Sequence, residues 1–385
     1  MKKILVTGVR APAALEIIRR LADAGYEVYA ADCLHFPPGR FSAPIKEYAQ
    51  LPSPRYDLKK FKSKLIGFVK KHQIDIIFPI CEEVFYLSSC KQELEKYCHV
   101  FCEDMNLLSR LHNKYIFQKI ARENYMGAIE TFITSNPSDP IPNLDENKTY
   151  VAKPVFSRFG DKALLNLHPH EIRDKLSPDL YPWAVQEYIR GEEFCSYAIC
   201  RNGVIISQSC YQPYFRAGQG SSVYFKAVLK PEIFKQVEYL VKGLHYTGQI
   251  GFDFIESPDG KTFVLECNPR CTSGVHLSPH IDWESAFSIE GPGDDFQPPV
   301  ANLRSKMISL AMIIYGLRPP NKQTITEFIH SYVNADDVIF TVKDWKPSFG
   351  QFLSLIELLW RRYKTGQSLK DASTTDIEWD GQDIE

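Results

Sequence analysis

The stretch Phe263–Arg270, FVLECNPR, sets an acid, an amide and a guanidinium at every second position: Glu266, Asn268 and Arg270. In an extended chain, residues two apart point the same way, so these three share one strand face, and Phe263 and Leu265 are expected on the opposite, core-facing side. Immediately upstream runs GQIGFDFIESPDGKTFVLE, two apolar-alternating runs joined by SPDG, the punctuation of a tight β-hairpin. Centring the loop on Asp259 and Gly260 places Asp253 directly opposite Glu266, and a bulge would shift that register by one residue.

Two facing carboxylates repel. At an effective dielectric near 20, unit charges ~4 Å apart interact by about 4 kcal/mol. A hard divalent cation relieves this, because Mg2+ prefers carboxylate and amide oxygens and commonly shares its shell with water and substrate phosphates. Asp253, Glu266 and Asn268 are therefore the candidate metal ligands, with Mn2+ as an alternative ion. Taken alone, the hairpin also reads as a solvated polar face.

Three further motifs precede this one in order: VAKP at 151–154, QEYIRGEEF at 186–194 and GFDFIE at 251–256. Together with VLECNPR they resemble the ATP-grasp superfamily of carboxylate-amine ligases, and four ordered motifs are far more specific than one. QEYIRGEEFCSYAICRNG and TGQIGFDFIE carry a closer likeness, to the branch related to carbamoyl-phosphate synthase and the ligase that joins glycine to 4-deoxygadusol in mycosporine synthesis. The resemblance implies an α/β chain: an ATP-grasp fold preceded by a βαβ, Rossmann-like lobe and followed by a C-terminal α+β extension. Boundaries are expected at 1–105, 106–295 and 296–385, the last near IEGPGDDFQPP.

The resemblance also assigns roles. An ATP-grasp site holds the nucleotide between two lobes, and Lys153 of VAKP is the strand-borne cation that reaches the phosphates, ahead of Lys114 in HNKYIF, which matches a second basic position. Glu187, Tyr188 and Ile189 form the adenine hinge, Gly191 permits a turn, and Glu193 (or Glu192, one residue earlier) takes the ribose. Where the family carries a glycine-rich phosphate loop, VFSRFGDK has only Gly160, so Arg158 is the candidate phosphate contact there. Arg270 stabilises the transferred phosphoryl group, a catalytic role shared with Lys153.

Loop chemistry extends the list toward the acceptor. YFRAGQGSSVYF reads as a mobile cover carrying Arg216 and Ser221, and CTSGVHLSPH offers Thr272, Ser273 and His276 to the acceptor pocket, a loop histidine such as His276 being more often merely exposed. PICEE ends a buried strand, which places Glu82 and Glu83 at the carboxyl edge where α/β sites collect.

The N-terminal residues give a second reading. Ile4–Thr7, an amphipathic helix ended by Gly25, and Val28–Ala31 make a βαβ unit, continued by the buried run Ile74–Ile80. Gly8 after one strand and Asp32 after the next suggest a dinucleotide site and an NAD-dependent reductase. GVRAPA, however, offers one glycine where the fingerprint needs three. A nonenzymatic nucleotide-binding module is the third class.

Composition bounds the rest. A chain of 385 residues with net charge −2 carries no electrostatic footprint for nucleic acid. Its ten cysteines form no C-x-x-C pair, and nothing at the N-terminus reads as a secretory signal, so reduced thiols and a cytoplasmic location are expected. The longest apolar run, from Met307, is too short for a membrane span. Residues 106–126 read as one helix, QFLSLIELLWRRYKTG as an amphipathic helix with a basic end that packs on the body in preference to touching a membrane surface, and the acidic tail after Thr374 as mobile. The expected reaction is ATP-dependent C–N bond formation through an acyl or enol phosphate, with ADP and phosphate released. Its partners are a small carboxylate or carbonyl acceptor and an amine such as an amino acid, in a monomer or a homodimer.

Overall fold

The computed structural model describes residues 1–139, 144–157, 162–218, 220–293, 296 and 303–384. Arg158 and Gly160 lie outside the described residues, as do five residues of the 289–299 boundary segment.

A parallel sheet forms first along the chain. Its strands are β1 (Lys3–Thr7), β2 (Glu27–Asp32), β3 (Ile45–Gln50), β4 (Ile76–Phe78) and β5 (His99–Val100), in the order β3-β2-β1-β4-β5. Ile4 and Val6 face one core cluster and Leu5 another, both fully buried, because helices cover both faces of the sheet. The helix Pro12–Asp23 starts with proline at its first turn and buries Ala14, Ile17, Ile18 and Leu21.

An antiparallel sheet follows: β6 (Thr131–Thr134), β7 (Tyr150–Pro154), β8 (Leu164–Leu167) and β9 (Trp183–Glu187), in the order β6-β9-β7-β8. The third sheet contains β10 (Glu192–Arg201), β11 (Val204–Ala217), β12 (Ser221–Ala227), β13 (Gly248–Glu256), β14 (Thr262–Asn268), β15 (Lys306–Met307) and β16 (Asp336–Asp337). Its order is β14-β13-β10-β11-β12-β15-β16.

Several expectations change here. Residues 106–126 are two helices, Met105–His112 and Lys114–Glu123, broken at Asn113. The Asn113 side chain accepts from the backbone of Tyr115 and Ile116, an N-cap that starts the second helix at Lys114. YFRAGQGSSVYF is no open loop but the β11–β12 hairpin, pairing Arg216 with Ser222 and Ala217 with Ser221. Gly191 is required less for a turn than for a close approach, since a Cβ there would lie 2.0 Å from the Glu256 carbonyl oxygen.

The acidic tail is packed. Ile377 and Trp379 are buried, Asp376 pairs with Arg10 and with Arg361 (3.0 Å), and Arg10 also holds Asp32. The Tyr86 hydroxyl donates to the Glu378 carbonyl at 2.8 Å. Sequence patterning missed this because the partners of Asp376 are distant along the chain. Asp376→Ala is expected to cost about 2 kcal/mol, less than a fully broken buried pair because Arg10 keeps Asp32. A urea titration checks it.

The long C-terminal helix, Lys346–Thr365, packs the other way round from expectation. Its buried positions are Pro347, Gly350 and Ser354, with Gly350 against Phe41 and Pro38, and its large apolar side chains point outward.

Candidate functional site: a carboxylate pair between two lysines

The β13–β14 hairpin reaches the expected pairing by an unexpected route. Ser257 donates to the Lys261 carbonyl and Gly260 to that of Ser257, with Gly260 at φ +81°, so Pro258, Asp259 and Gly260 form a three-residue loop. That loop alone would pair Asp253 with Leu265. A bulge at Leu265 restores the offset, and Asp253 faces Glu266. The bulge also decides the faces: Val264 and Cys267 enter the core, whereas Phe263 and Leu265, expected there, stay half-buried.

Gln118 fixes the bulge. Its side-chain amide donates to the Val264 carbonyl at 2.8 Å and to that of Leu265 at 3.3 Å, and its oxygen accepts from the Ile129 backbone. Lys114 lies one helical turn before Gln118, on the same face. Its side chain is 4% exposed, and its ammonium donates to the Ser157 carbonyl at 2.7 Å and sits 3.6 Å from Glu266 Oε2. Its burial is the feature that residue type alone does not give, since helical lysines are usually solvated, and the Asn113 N-cap is the local signal that starts the helix at Lys114.

Charges in the cluster act on one another. Burial, seconded by Glu266, pushes Asp253 up to about 7, with the Cys195 thiol donating to it. Burial also opposes ionisation of Glu266, but Lys114 and Lys153 outweigh it and hold that carboxyl down at about 2. Burial lowers Lys114, against the pull of Glu266. The pair thus keeps one proton at moderately acidic pH, as neighbouring carboxylates do.

A stability prediction follows from the sign of the Asp253 shift. A carboxyl raised in the folded state favours folding below its unfolded value, and that favour is lost as pH rises through about 7. Asp253→Asn removes the penalty. In chelator-treated buffer the variant is expected to exceed the parent by ~2 kcal/mol at alkaline pH and to match it in acid. Thermal melts across that range check it.

The Arg270 guanidinium donates to Asn268 Oδ1 at 3.0 Å and to the Cys271 carbonyl at 3.2 Å, and stands 3.6 Å from Glu82 Oε1. Glu82 is fully buried and also accepts from the Trp379 backbone, so the C-terminal tail touches the group that holds Arg270. Lys153 lies on β7, near enough to influence both Lys114 and Glu266. Glu187 ends β9 and pairs with Lys148 at 2.8 Å. Tyr188 donates its backbone N–H to Thr149, and Ile189 is half-buried beside it. Glu193 opens β10 rather than lying in a loop, and accepts from Arg216 at 2.7 Å.

Thr272 and Ser273 follow Arg270 directly. The Thr272 hydroxyl is buried and has no hydrogen-bond partner among the described residues. Ser221 begins β12, paired with Ala217. His276, expected exposed, is 1% exposed. Its Nδ1 lies 3.4 Å from Glu16, which it and Arg20 help hold down at about 2 against burial.

Glu83 is bound differently from Glu82. It accepts from the Thr7 hydroxyl at 2.7 Å and from the Ile80 and Cys81 backbone, and a Cβ on Gly8 would lie 2.6 Å from its carboxylate. Glu83 thus occupies the space beside Gly8 that a pyrophosphate would need, and Arg10 covers Asp32. The dinucleotide reading finds no support in this crevice.

The donor set fits a hard divalent ion. Asp253 and Glu266 are register partners and Asn268 follows two residues on along the same strand, its Oδ1 accepting from Arg270, and no group of three or more His, Cys, Asp and Glu suited to a metal occurs among the described residues. An ion there would complete its shell with water and phosphate oxygens.

Residues 122–274 match the ATP-grasp domain family, and no curated protein sequence matches the chain. Among solved structures, an L-amino acid ligase from Bacillus licheniformis superposes with TM-score 0.56 at 16% identity, covering 71% of this chain and 68% of the other. N5-carboxyaminoimidazole synthetase from Staphylococcus aureus, complexed with ADP, gives 0.58 at 14% identity over 79% and 80%. The biotin carboxylase domain of 2-oxoglutarate carboxylase from Hydrogenobacter thermophilus, in complex with MgADP and bicarbonate, gives 0.54 at 12% identity over 72% and 65%. The chain is an α/β protein in which a parallel-sheet N-terminal lobe precedes an ATP-grasp domain.

Proposed function

We propose that this protein is an ATP-dependent ligase that phosphorylates a small carboxylate or carbonyl acceptor and lets an amine displace phosphate, forming a C–N bond. The observation that carries this reading is the carboxylate pair Asp253–Glu266 on an ATP-grasp fold, with Lys114 3.6 Å from Glu266 and both Lys114 and Lys153 lowering the pKa of that carboxyl. The solved structures it resembles support the class, an amino acid ligase and a synthetase among them. The division at 1–105, 106–295 and 296–385 is part of the proposal.

In this reading Lys114 and Lys153 meet the nucleotide phosphates as point charges. The segment Glu187–Ile189 receives adenine, and Glu193 the ribose once Arg216 releases it. Asp253, Glu266 and Asn268 would hold Mg2+, which would supply charge neutralisation to the nucleotide phosphates. Arg270, held by Asn268 and Glu82, stabilises the phosphoryl group as it leaves ADP. No side chain need form a covalent bond, since the chemistry is positioning and electrostatics. Glu82, Thr272, Ser273 and Ser221 line the acceptor side.

A screen of small carboxylates and amino acids for phosphate release from ATP tests the proposal. Hydroxylamine offered as the amine is expected to trap a carboxylate acceptor as its hydroxamate. NAD, rather than MgATP, raising the thermal midpoint would favour a reductase. ATP binding with no turnover across the screen would favour a nonenzymatic module.

A further inference from the structure

The helix Lys346–Thr365 turns its apolar side chains to solvent. Phe349, Phe352, Ile356, Leu359, Trp360 and Tyr363 are each 46–88% exposed, while the body-facing positions are Pro347, Gly350 and Ser354. With Leu353 and Leu355, also exposed, the apolar arc spans about 160° of the helix surface. That is wider than the seam of a two-helix coiled coil and resembles the face of a helix lying in a bilayer interface.

Charge decides what fits against it. Between Lys343 and Gly366 the acids are Asp344 and Glu357, and both turn inward. Asp344 pairs with Arg19 and accepts from Ser42, and Glu357 accepts from the backbone of His35 and Phe36 and pairs with Arg361. The outward charges are Lys343, Lys346, Arg362 and Lys364, all exposed and all basic. They stand near both ends of the helix. A second copy laid along it, parallel or antiparallel, would bring cations against cations, whereas an anionic surface meets complementary charge at both ends. Trp345 and Trp360, about half exposed, and Tyr363 are the side chains that settle at a lipid headgroup boundary, with Lys364 stacked over the Trp360 ring at 3.8 Å.

We propose that the outward face of Lys346–Thr365 docks on an anionic lipid bilayer, with the helix lying in the plane of the headgroups. No helix among the described residues is long and apolar enough to cross a membrane, so docking is peripheral. The face is separate from the Asp253–Glu266 pair, and the proposal is independent of the ligase reading.

The molecule carries its own reporter. Of its five tryptophans, Trp183, Trp283 and Trp379 are buried, and only Trp345 and Trp360 can meet lipid. The full-length protein is mixed with vesicles of phosphatidylcholine, with or without phosphatidylserine, that carry a brominated acyl chain. On the anionic vesicles tryptophan emission is expected to shift to the blue and be quenched, an effect abolished in W345F/W360F and weakened by salt. K346E/R362E/K364E is expected to lower partitioning roughly 100-fold, and F352E/I356E to abolish it. Both variants alter exposed side chains, and an unchanged thermal midpoint shows that each has folded. Absence of quenching on anionic vesicles, or equal partitioning onto both vesicle types, overturns the proposal. So does a dimer seen by sedimentation that F352E/I356E dissociates while vesicles fail to bind, since the face would then be a self-interface.

Discussion

Arg270→Ala should slow ATP turnover by about 100-fold or more, the usual scale for losing one preorganised electrostatic group. The guanidinium is preorganised by Asn268, the Cys271 carbonyl and the buried Glu82, which reach it from the strand end, the following turn and the N-terminal lobe. A group held this firmly need not reorganise as charge develops on the migrating phosphoryl. Its removal is therefore expected in kcat, with the KM for ATP little changed. Arg270→Lys should recover only a fraction, because an ammonium cannot keep the Asn268 and Cys271 contacts and point forward at once. A steady-state assay of ADP release separates the cases. A raised KM at constant kcat would make Arg270 a ground-state binder.

Glu266→Gln carries the other large effect, a loss of turnover of about 1000-fold. Glu266 is the ionised member of the pair, kept so by Lys114 and Lys153, and a neutral amide cannot replace it as an anionic ligand. The variant also leaves Lys114 buried beside a dipole in place of a charge. Its ammonium stays bonded to the Ser157 carbonyl, so the fold is expected to survive. Calorimetric titration of Mg2+ with a nonhydrolysable ATP analogue should show the metal dependence of binding reduced along with activity. Wild-type-like turnover in Glu266→Gln and Asp253→Asn alike would remove the metal assignment.

The hairpin was legible because its determinants are local. Two alternating runs and Asp259-Gly260 are written into one short stretch and suffice for a hairpin, whereas the Asp253–Glu266 pairing also needs the bulge at Leu265. The compensation between the shorter loop register and the Leu265 bulge was not legible, because the bulge is held by Gln118, far upstream. Lys114 illustrates the same boundary. Its residue type and the Asn113 cap are in the sequence, but its burial depends on β14 and Ser157 closing over it. Nonlocal pairing also explains the tail, where the acids that suggested a mobile segment are partners of Arg10, Arg55 and Arg361. In Lys346–Thr365 the apolar pattern was read correctly and its direction was not. Periodicity says that a helix has an apolar face, whereas Gly350 and Ser354 let the opposite face approach the body.

Product identity tests the central claim most directly. With an acceptor and amine from the screen, the nucleotide products are separated by anion-exchange chromatography and counted against substrate consumed. If Asp253, Glu266 and Asn268 hold the metal and Arg270 meets the departing phosphoryl group, as proposed, cleavage falls at the γ phosphate. The account predicts one ADP and one phosphate for each C–N bond formed. Stoichiometric AMP and pyrophosphate would contradict it.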